Sequence, residues 1–210
     1  MEETDVEVRA VKEVGTDTVA VDLASPPTFE AKPGQFVKLS ATVDGEHVSR
    51  FYTISSPDVG GEIEITVEVD PEGSLGPWLA DAKGQTIRLE GPYGTAFYED
   101  ESSILVLAGG PGVGPAVGIG ERALADDNEM AIVYRDDDPV HEERLSALRE
   151  RGTTVIVVGE DQGLETALAD AYEAGQQVFI YGFRDFVTEG RKALESVGGD
   201  PDDAKIENFG

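Results

Sequence analysis

The chain has 210 residues, 43 of them acidic and 16 basic, for a formal net charge of −27, and none is cysteine. Hydrophobic residues make up 40%, enough to build a core, so the charge does not imply a disordered chain. The missing cysteines exclude disulfides, thiol catalysis, a thiolate zinc site and any cysteine-held iron–sulfur cluster within these residues, and so acidic a surface excludes nucleic acid and membrane as expected partners.

The acids are spread over both halves, and arginine outnumbers lysine ten to six. This is the composition expected of a halophile protein kept hydrated in concentrated salt, where screening removes self-repulsion. The opening MEETDVEV has no hydrophobic stretch, so no signal peptide is expected, and no apolar run approaches membrane-spanning length. A cytoplasmic protein is the expectation. The two histidines, His47 and His141, read as surface residues, and no metal site is expected.

Up to about residue 98 the apolar residues have period two. Val6/Val8, Val19/Val21/Leu23, Val37/Leu39, Ile63/Ile65/Val67/Val69 and Ile87/Leu89 alternate with polar neighbours, with Asp44-Gly45 and Gly60-Gly61 as hairpin signals. Six short antiparallel strands in this length predict a small closed barrel over residues 1–98. Glu-Asp-Glu-Ser-Ser then reads as a linker. Over 102–210 the pattern changes to continuous apolar runs, Ile104–Leu107, Ala131–Tyr134, Val155–Val158 and Val178–Tyr181, with helical spacing between them, clearest at Leu164, Ala167, Leu168, Ala171 and Tyr172. That alternation predicts an α/β domain around a parallel sheet.

Three segments have the residue types for chemistry. Arg50-Phe51-Tyr52-Thr53-Ile54-Ser55 lies on a predicted strand, with Arg50, Tyr52 and Ile54 on one face and Phe51, Thr53 and Ser55 on the other. An arginine beside an aromatic ring and hydroxyls suits a phosphate attached to a flat heterocycle, and an ordinary edge strand has the same spacing. Gly109-Gly110-Pro111-Gly112-Val113-Gly114-Pro115 follows the first parallel strand and opens a helix. It reads as a phosphate-binding turn or a structural one, and it is neither G-x-G-x-x-G nor a P-loop. The third is Tyr181-Gly182-Phe183 at a strand's carboxyl end, with the closing Glu207-Asn208-Phe209-Gly210, where ligand binding and plain packing both remain open.

Together and in this order, these residues resemble the ferredoxin–NADP reductase superfamily of flavoproteins over nearly the whole chain. The resemblance implies an FAD-binding barrel joined to a nicotinamide-nucleotide α/β domain. Arg50, Tyr52 and Thr53 look like its Arg-x-Tyr-Ser/Thr signature, which implies that Arg50 pairs with the FAD pyrophosphate, Tyr52 stacks near the isoalloxazine and Thr53 hydrogen-bonds near flavin N5, with Phe51 beside them. Val67, Glu68 and Val69 would line the adenosine side, and Gly73, Leu75 and Gly76 the pyrophosphate turn. Gly91-Pro92-Tyr93-Gly94 looks like the barrel-closing Gly-Pro-x-Gly. Gly109, Gly110, Gly112, Val113, Gly114 and Pro115 resemble the nicotinamide-nucleotide loop, and Glu207, Phe209 and Gly210 the closing Glu-x-Phe-Gly.

Three departures stand out. Gly76 replaces a serine, Gly114 replaces a common threonine, and Tyr181-Gly182-Phe183 replaces Cys-Gly-Pro. Tyr181 is expected to narrow the hydride-transfer pocket. Beside the end of the second parallel strand, Tyr134-Arg135-Asp136-Asp137-Asp138, the resemblance locates the adenosine ribose. Asp137 stands where 2′-phosphate binders have arginine, which favours NADH over NADPH unless Arg135 or Arg144 turns toward the phosphate. The implied function is an FAD-dependent NAD(P)H oxidoreductase passing electrons to a separate one-electron carrier, foremost a ferredoxin. The alternative is an FAD-binding electron-transfer or regulatory module in which Tyr181 and Phe183 fill the nicotinamide place. A non-flavin binding protein on the same scaffold is a third.

Overall fold

The structure is a computed structural model describing residues 3–210; Met1 and Glu2, where the expected first domain and its acidic opening begin, lie outside it. The period-two segments become β1 (Thr4–Gly15), β2 (Thr18–Ala24), β3 (Phe36–Val43), β4 (Glu46–Thr53), β5 (Glu62–Glu68) and β6 (Thr86–Tyr93). They pair antiparallel in the order β4-β3-β6-β1-β2-β5. The two ends of that sheet meet at a bridge between Ile54 and Ile65, where the Ser55 N–H also donates to the Glu64 carbonyl at 2.8 Å. Alternate residues point inward, so Val8, Leu23, Val37, Leu39, Ile54, Ile63 and Ile65 fill one core with no solvent exposure. Asp44 and Gly45 have φ of 51° and 83°, the left-handed pair that a two-residue hairpin turn between β3 and β4 requires. A short helix that period-two reasoning does not foresee, α1 (Leu75–Ala80), inserts Leu75 and Leu79 into this core.

The second half contains β7 (Ser103–Gly109), a 3-10 turn at Gly110–Gly112, α2 (Val113–Ala125), β8 (Glu129–Arg135), α3 (Glu142–Glu150), β9 (Thr154–Val158), α4 (Leu164–Ala171), β10 (Gln177–Gly182), α5 (Arg184–Ser196) and β11 (Lys205–Asn208). All pairings are parallel, in the order β11-β10-β7-β8-β9. The apolar runs are continuous because both faces are covered: Ile104, Val106 and Ala108 pack with α2 and α3, and Leu105 and Leu107 with α4 and α5. Only four residues long and mostly polar, β11 has no strand signal of its own and forms on the free edge of β10.

The sheet and the barrel meet along a packed seam. A Cβ on Gly118 of α2 would stand 2.6 Å from the Ser55 carbonyl oxygen, and one on Gly114 would stand 2.8 Å from Thr66 Oγ1. Small residues one turn apart thus bring the α2 backbone against the barrel. Arg144 of α3 crosses the seam, donating to Glu64 and Glu121 carboxylates at 2.7 Å and to the Ser55 carbonyl at 2.7 Å. His141, expected at the surface, is 3% exposed. The turn before α3 carries it into the seam, where its backbone N–H donates to the Val14 carbonyl and its ring Nε2 lies 2.8 Å from Thr66 Oγ1. Among the described residues no helix is long and apolar enough to cross a membrane, and no group of three or more His, Asp or Glu is arranged to hold a metal.

Candidate functional site

Two cavities open on the seam at the carboxyl end of the parallel sheet, the edge where α/β sheets bind ligands. The first, about 380 Å³, has one wall from the barrel, Phe36, Phe51, Tyr52, Thr53, Thr66 and Glu68, and another from Pro111, Phe183, Glu207, Asn208 and Phe209. Strand register explains the barrel wall. Phe36 pairs with Thr53 on one side and Tyr93 on the other, so three rings cluster: Phe36 stacks on Tyr93 at 5.7 Å and meets Phe51 edge-on at 5.5 Å. Across the slot Phe183 and Phe209 are edge-to-face at 5.9 Å. Phe51 and Phe183 are 62% and 50% exposed, large apolar side chains left open where a flat ligand would cover them. Burial pushes the Tyr52 phenol up to about 12 and holds the Glu207 carboxyl above its ordinary range.

The second cavity, about 520 Å³, adjoins the first and shares Thr66, Glu68, Pro111 and Phe183 with it. Its floor is Gly109–Pro111. Gly110 has φ of 53° and open space where a side chain would stand, so the backbone is bare toward the cavity. The charged side chains on the rest of the wall are mostly acidic, Asp17, Glu68, Asp136, Asp138 and Glu160. Its one arginine, Arg135, pairs with Glu189 at 2.6 Å and lies over the Phe186 ring.

The structure brings together Phe51, Tyr52, Thr53, Glu68, Gly109, Gly110, Arg135, Phe183, Glu207 and Phe209 from the expected site, and leaves others out. Arg50 lies at the exposed part of β4, its guanidinium donating to the Ser49 carbonyl, and among the described residues no carboxylate is within ion-pair distance. Val67 points into the barrel core, and Val69 N–H donates to the Asp17 carbonyl. Gly73, Leu75 and Gly76 stand at the start of α1 outside both cavities; a Cβ on Gly76 would crowd the Glu68 carbonyl at 3.2 Å. Gly112, Val113, Gly114 and Pro115 are buried under the loop, and Gly182 is packed against Phe186. Tyr134 is buried in the α/β core, with its hydroxyl donating to Asp136.

Three expectations need correction. Tyr181 does not narrow the cavity: strand alternation turns it the other way, fully buried, stacked on Phe179 and donating to the Ala96 carbonyl at 2.7 Å. Asp137 does not face the second cavity, because its Oδ1 accepts the Glu160 N–H at 2.8 Å; Asp136 and Asp138 on either side of it do. Arg144 is engaged across the seam in four hydrogen bonds and does not line the second cavity. Pro111 and Asn208 lie inside the segments singled out above without being named as site residues, while Thr66 and Phe36 lie outside them; strand alternation carried a signal at Thr66, which falls between the inward Ile65 and Val67.

Residues 5–98 match the Oxidoreductase FAD-binding domain family. The chain is 33% identical over 195 residues to the 3-ketosteroid-9-alpha-monooxygenase ferredoxin reductase component of Mycolicibacterium smegmatis, covering 84% of this chain and 55% of that protein. It is 34% identical over 157 residues to the glycine betaine monooxygenase reductase subunit of Pseudomonas aeruginosa, covering 69% and 43%. The chain thus spans about half the length of the curated relatives it matches. Among solved structures, the flavohem-like FAD/NAD binding domain of nitric oxide dioxygenase from Vibrio cholerae superposes with a TM-score of 0.84 at 21% identity over 98% of both chains. A ferredoxin NADP+ reductase from Neisseria gonorrhoeae with bound FAD and NADP superposes at 0.83 and 17% identity over both whole chains. The fold is that of the ferredoxin reductase-like flavoproteins.

Proposed function

We infer that this chain, whose residues 5–98 form an oxidoreductase FAD-binding domain, joins that domain to a nicotinamide-nucleotide site and passes electrons between NAD(P)H and a separate one-electron carrier. The observation that carries this reading is the shared wall of the two cavities: rings held in each would meet beside Thr66, Pro111 and Phe183. The first cavity fits a flavin, having the volume of a small-molecule site, flat aromatic walls, and a half-buried phenol and a hydroxyl at Tyr52 and Thr53.

FAD, when bound, supplies the exchange between a two-electron nucleotide and a one-electron carrier. Tyr52 and Thr53 orient the ring, and Arg50, a cation without a carboxylate partner among the described residues, is free for the pyrophosphate. Phe183 and Phe209 exclude water from the opposite face. Glu207 can hold a proton at its half-buried carboxyl. The bare backbone at Gly110 suits the nucleotide's phosphates, and the carboxylates of Asp136 and Asp138 accept hydrogen bonds from ribose hydroxyls while opposing a 2′-phosphate. NADH is therefore favoured over NADPH. These 210 residues hold no cysteine-bound cluster, so the acceptor is another centre, and the relatives' reductase components support a ferredoxin or an oxygenase component. With Tyr181 turned away, the module that has lost nicotinamide use keeps only Phe183 in its favour.

The test is an anaerobic titration of the yellow protein. NADH is expected to bleach the flavin, with a higher kcat/KM than NADPH. A flavin that neither nucleotide bleaches overturns the reading, and a colourless protein with no affinity for FAD overturns it at the first step.

A further inference from the structure

Thr66 is one of the few side chains common to both cavities, and it is 92% buried. It occupies the space directly over Gly114, where a Cβ would stand 2.8 Å from its Oγ1. Position 114 is thus empty of side chain, and a hydroxyl from the barrel fills the space beside it. Its partner is His141 Nε2 at 2.8 Å, on the turn between β8 and α3.

The histidine decides what that hydroxyl can do. His141 is 3% exposed, and its Nδ1 has no hydrogen-bond partner among the described residues. Burial, with Arg144 nearby, lowers its pKa to about 3, so the ring is neutral and carries one proton. If that proton were on Nδ1, a buried N–H would be left unmade, which native structures rarely tolerate; an unpaired acceptor lone pair costs less. The proton therefore belongs on Nε2, which donates to Thr66 Oγ1. The Thr66 O–H is then released from the histidine and free to donate elsewhere.

We propose that Thr66 is the binding residue that donates a hydrogen bond to the carboxamide oxygen of the nicotinamide ring at the junction of the two cavities, and that His141 is the positioning residue that frees its proton. The assignment rests on the nicotinamide reading of the second cavity. A carbonyl oxygen is the acceptor the free O–H suits, and the junction is where that ring must lie to reach a ring in the first cavity.

Two measurements test it. With two histidines in the chain, long-range proton–nitrogen NMR of the 15N-labelled protein, with His47→Gln for assignment, reads the His141 tautomer directly. Protonation at Nε2 is expected, and protonation at Nδ1 overturns the proposal. Anaerobic flavin reduction is then followed with NADH and with its thionicotinamide analogue, whose C=S is a weak acceptor, and FAD content is measured in each variant. Thr66→Val is expected to raise the dissociation constant for NADH about five- to tenfold, to change that for the analogue far less, and to be rescued by Thr66→Ser. His141→Leu should follow Thr66→Val, while His141→Gln, which keeps an N–H donor, should retain most of the affinity. Equal losses for both nucleotides, or unchanged affinity in Thr66→Val, overturn the assignment while the nicotinamide reading stands. A wild type that no nucleotide reduces fails both together, and is recognised because the parent protein itself does not respond.

Discussion

Tyr181 has no solvent exposure, and the Ala96 carbonyl accepts its hydroxyl across the seam between sheet and barrel. Tyr181→Phe keeps the ring stacked on Phe179 and leaves that buried carbonyl unpaired. The expected loss is about 1–2 kcal/mol of stability by denaturant unfolding, with the flavin reduction rate unchanged; a faster rate would restore the plugging role that the geometry removes. His141 makes a pH-dependent contribution of definite sign. Its folded pKa, about 3, lies below the ordinary 6.5, so the unfolded chain binds the extra proton. The stabilisation is complete above about pH 6.5 and is lost as pH falls toward 3, with a slope of at most about 1.4 kcal/mol per pH unit. Carboxylates titrate in part of this window too, so the measurement is the difference between wild type and His141→Gln. That difference should shrink as the pH is lowered from 6.5, and a pH-independent difference would mean His141 is not the buried neutral group described here.

The α2 helix shows how an element can be written against its own propensity. Glycine at 114 and 118 weakens a helix by roughly 1 kcal/mol each relative to alanine, yet both positions face the barrel backbone and hydroxyls at contact distance. Gly118→Ala puts a methyl 2.6 Å from the Ser55 carbonyl. The overpacking should outweigh the helical gain and destabilise by about 1–3 kcal/mol, read as a lower unfolding midpoint; a raised midpoint would mean α2 is free to shift. Gly114→Thr should behave alike, and Thr66→Ala in the same chain should relieve it. These contacts also mark what was legible in the sequence. Period-two runs located the barrel strands, and continuous apolar runs located β7, β8 and β10, because burial of one or two faces is a local pattern. Which face of β10 looks toward the cavity, and which of three successive aspartates turns outward, depends on partners far along the chain: Ala96 for Tyr181 and Glu160 for Asp137. His141 looked like a surface residue for the same reason, since its charged neighbours in sequence say nothing about Val14 and Thr66.

At the scale of the molecule, a net charge of −27 has no internal compensation. Exposed pairs such as Arg9–Glu62, Arg88–Asp5 and Arg191–Asp202 contribute little. The pair that binds the two halves, Arg144 with Glu64, is more enclosed and loses less to screening. Salt therefore removes more repulsion than attraction. Raising ionic strength from about 0.01 M to about 1 M shortens the Debye length from roughly 30 Å to roughly 3 Å, and the unfolding temperature should rise throughout that range. The second cavity adds a functional readout. On the nucleotide reading proposed for this cavity, its carboxylates at Asp17, Glu68, Asp136, Asp138 and Glu160 repel the anionic nucleotide, with Arg135 held by Glu189. Sites that hold phosphates by free lysines and arginines lose affinity as salt rises; here screening should lower the KM for NADH over the same range. Calorimetry and steady-state kinetics in potassium chloride, with sucrose as a control for solvent exclusion from the protein surface, separate the effects. A flat or falling unfolding temperature would show that the acidic surface does not limit stability. A KM that rises with salt would show that a cation, and not the bare backbone at Gly110, dominates nucleotide capture.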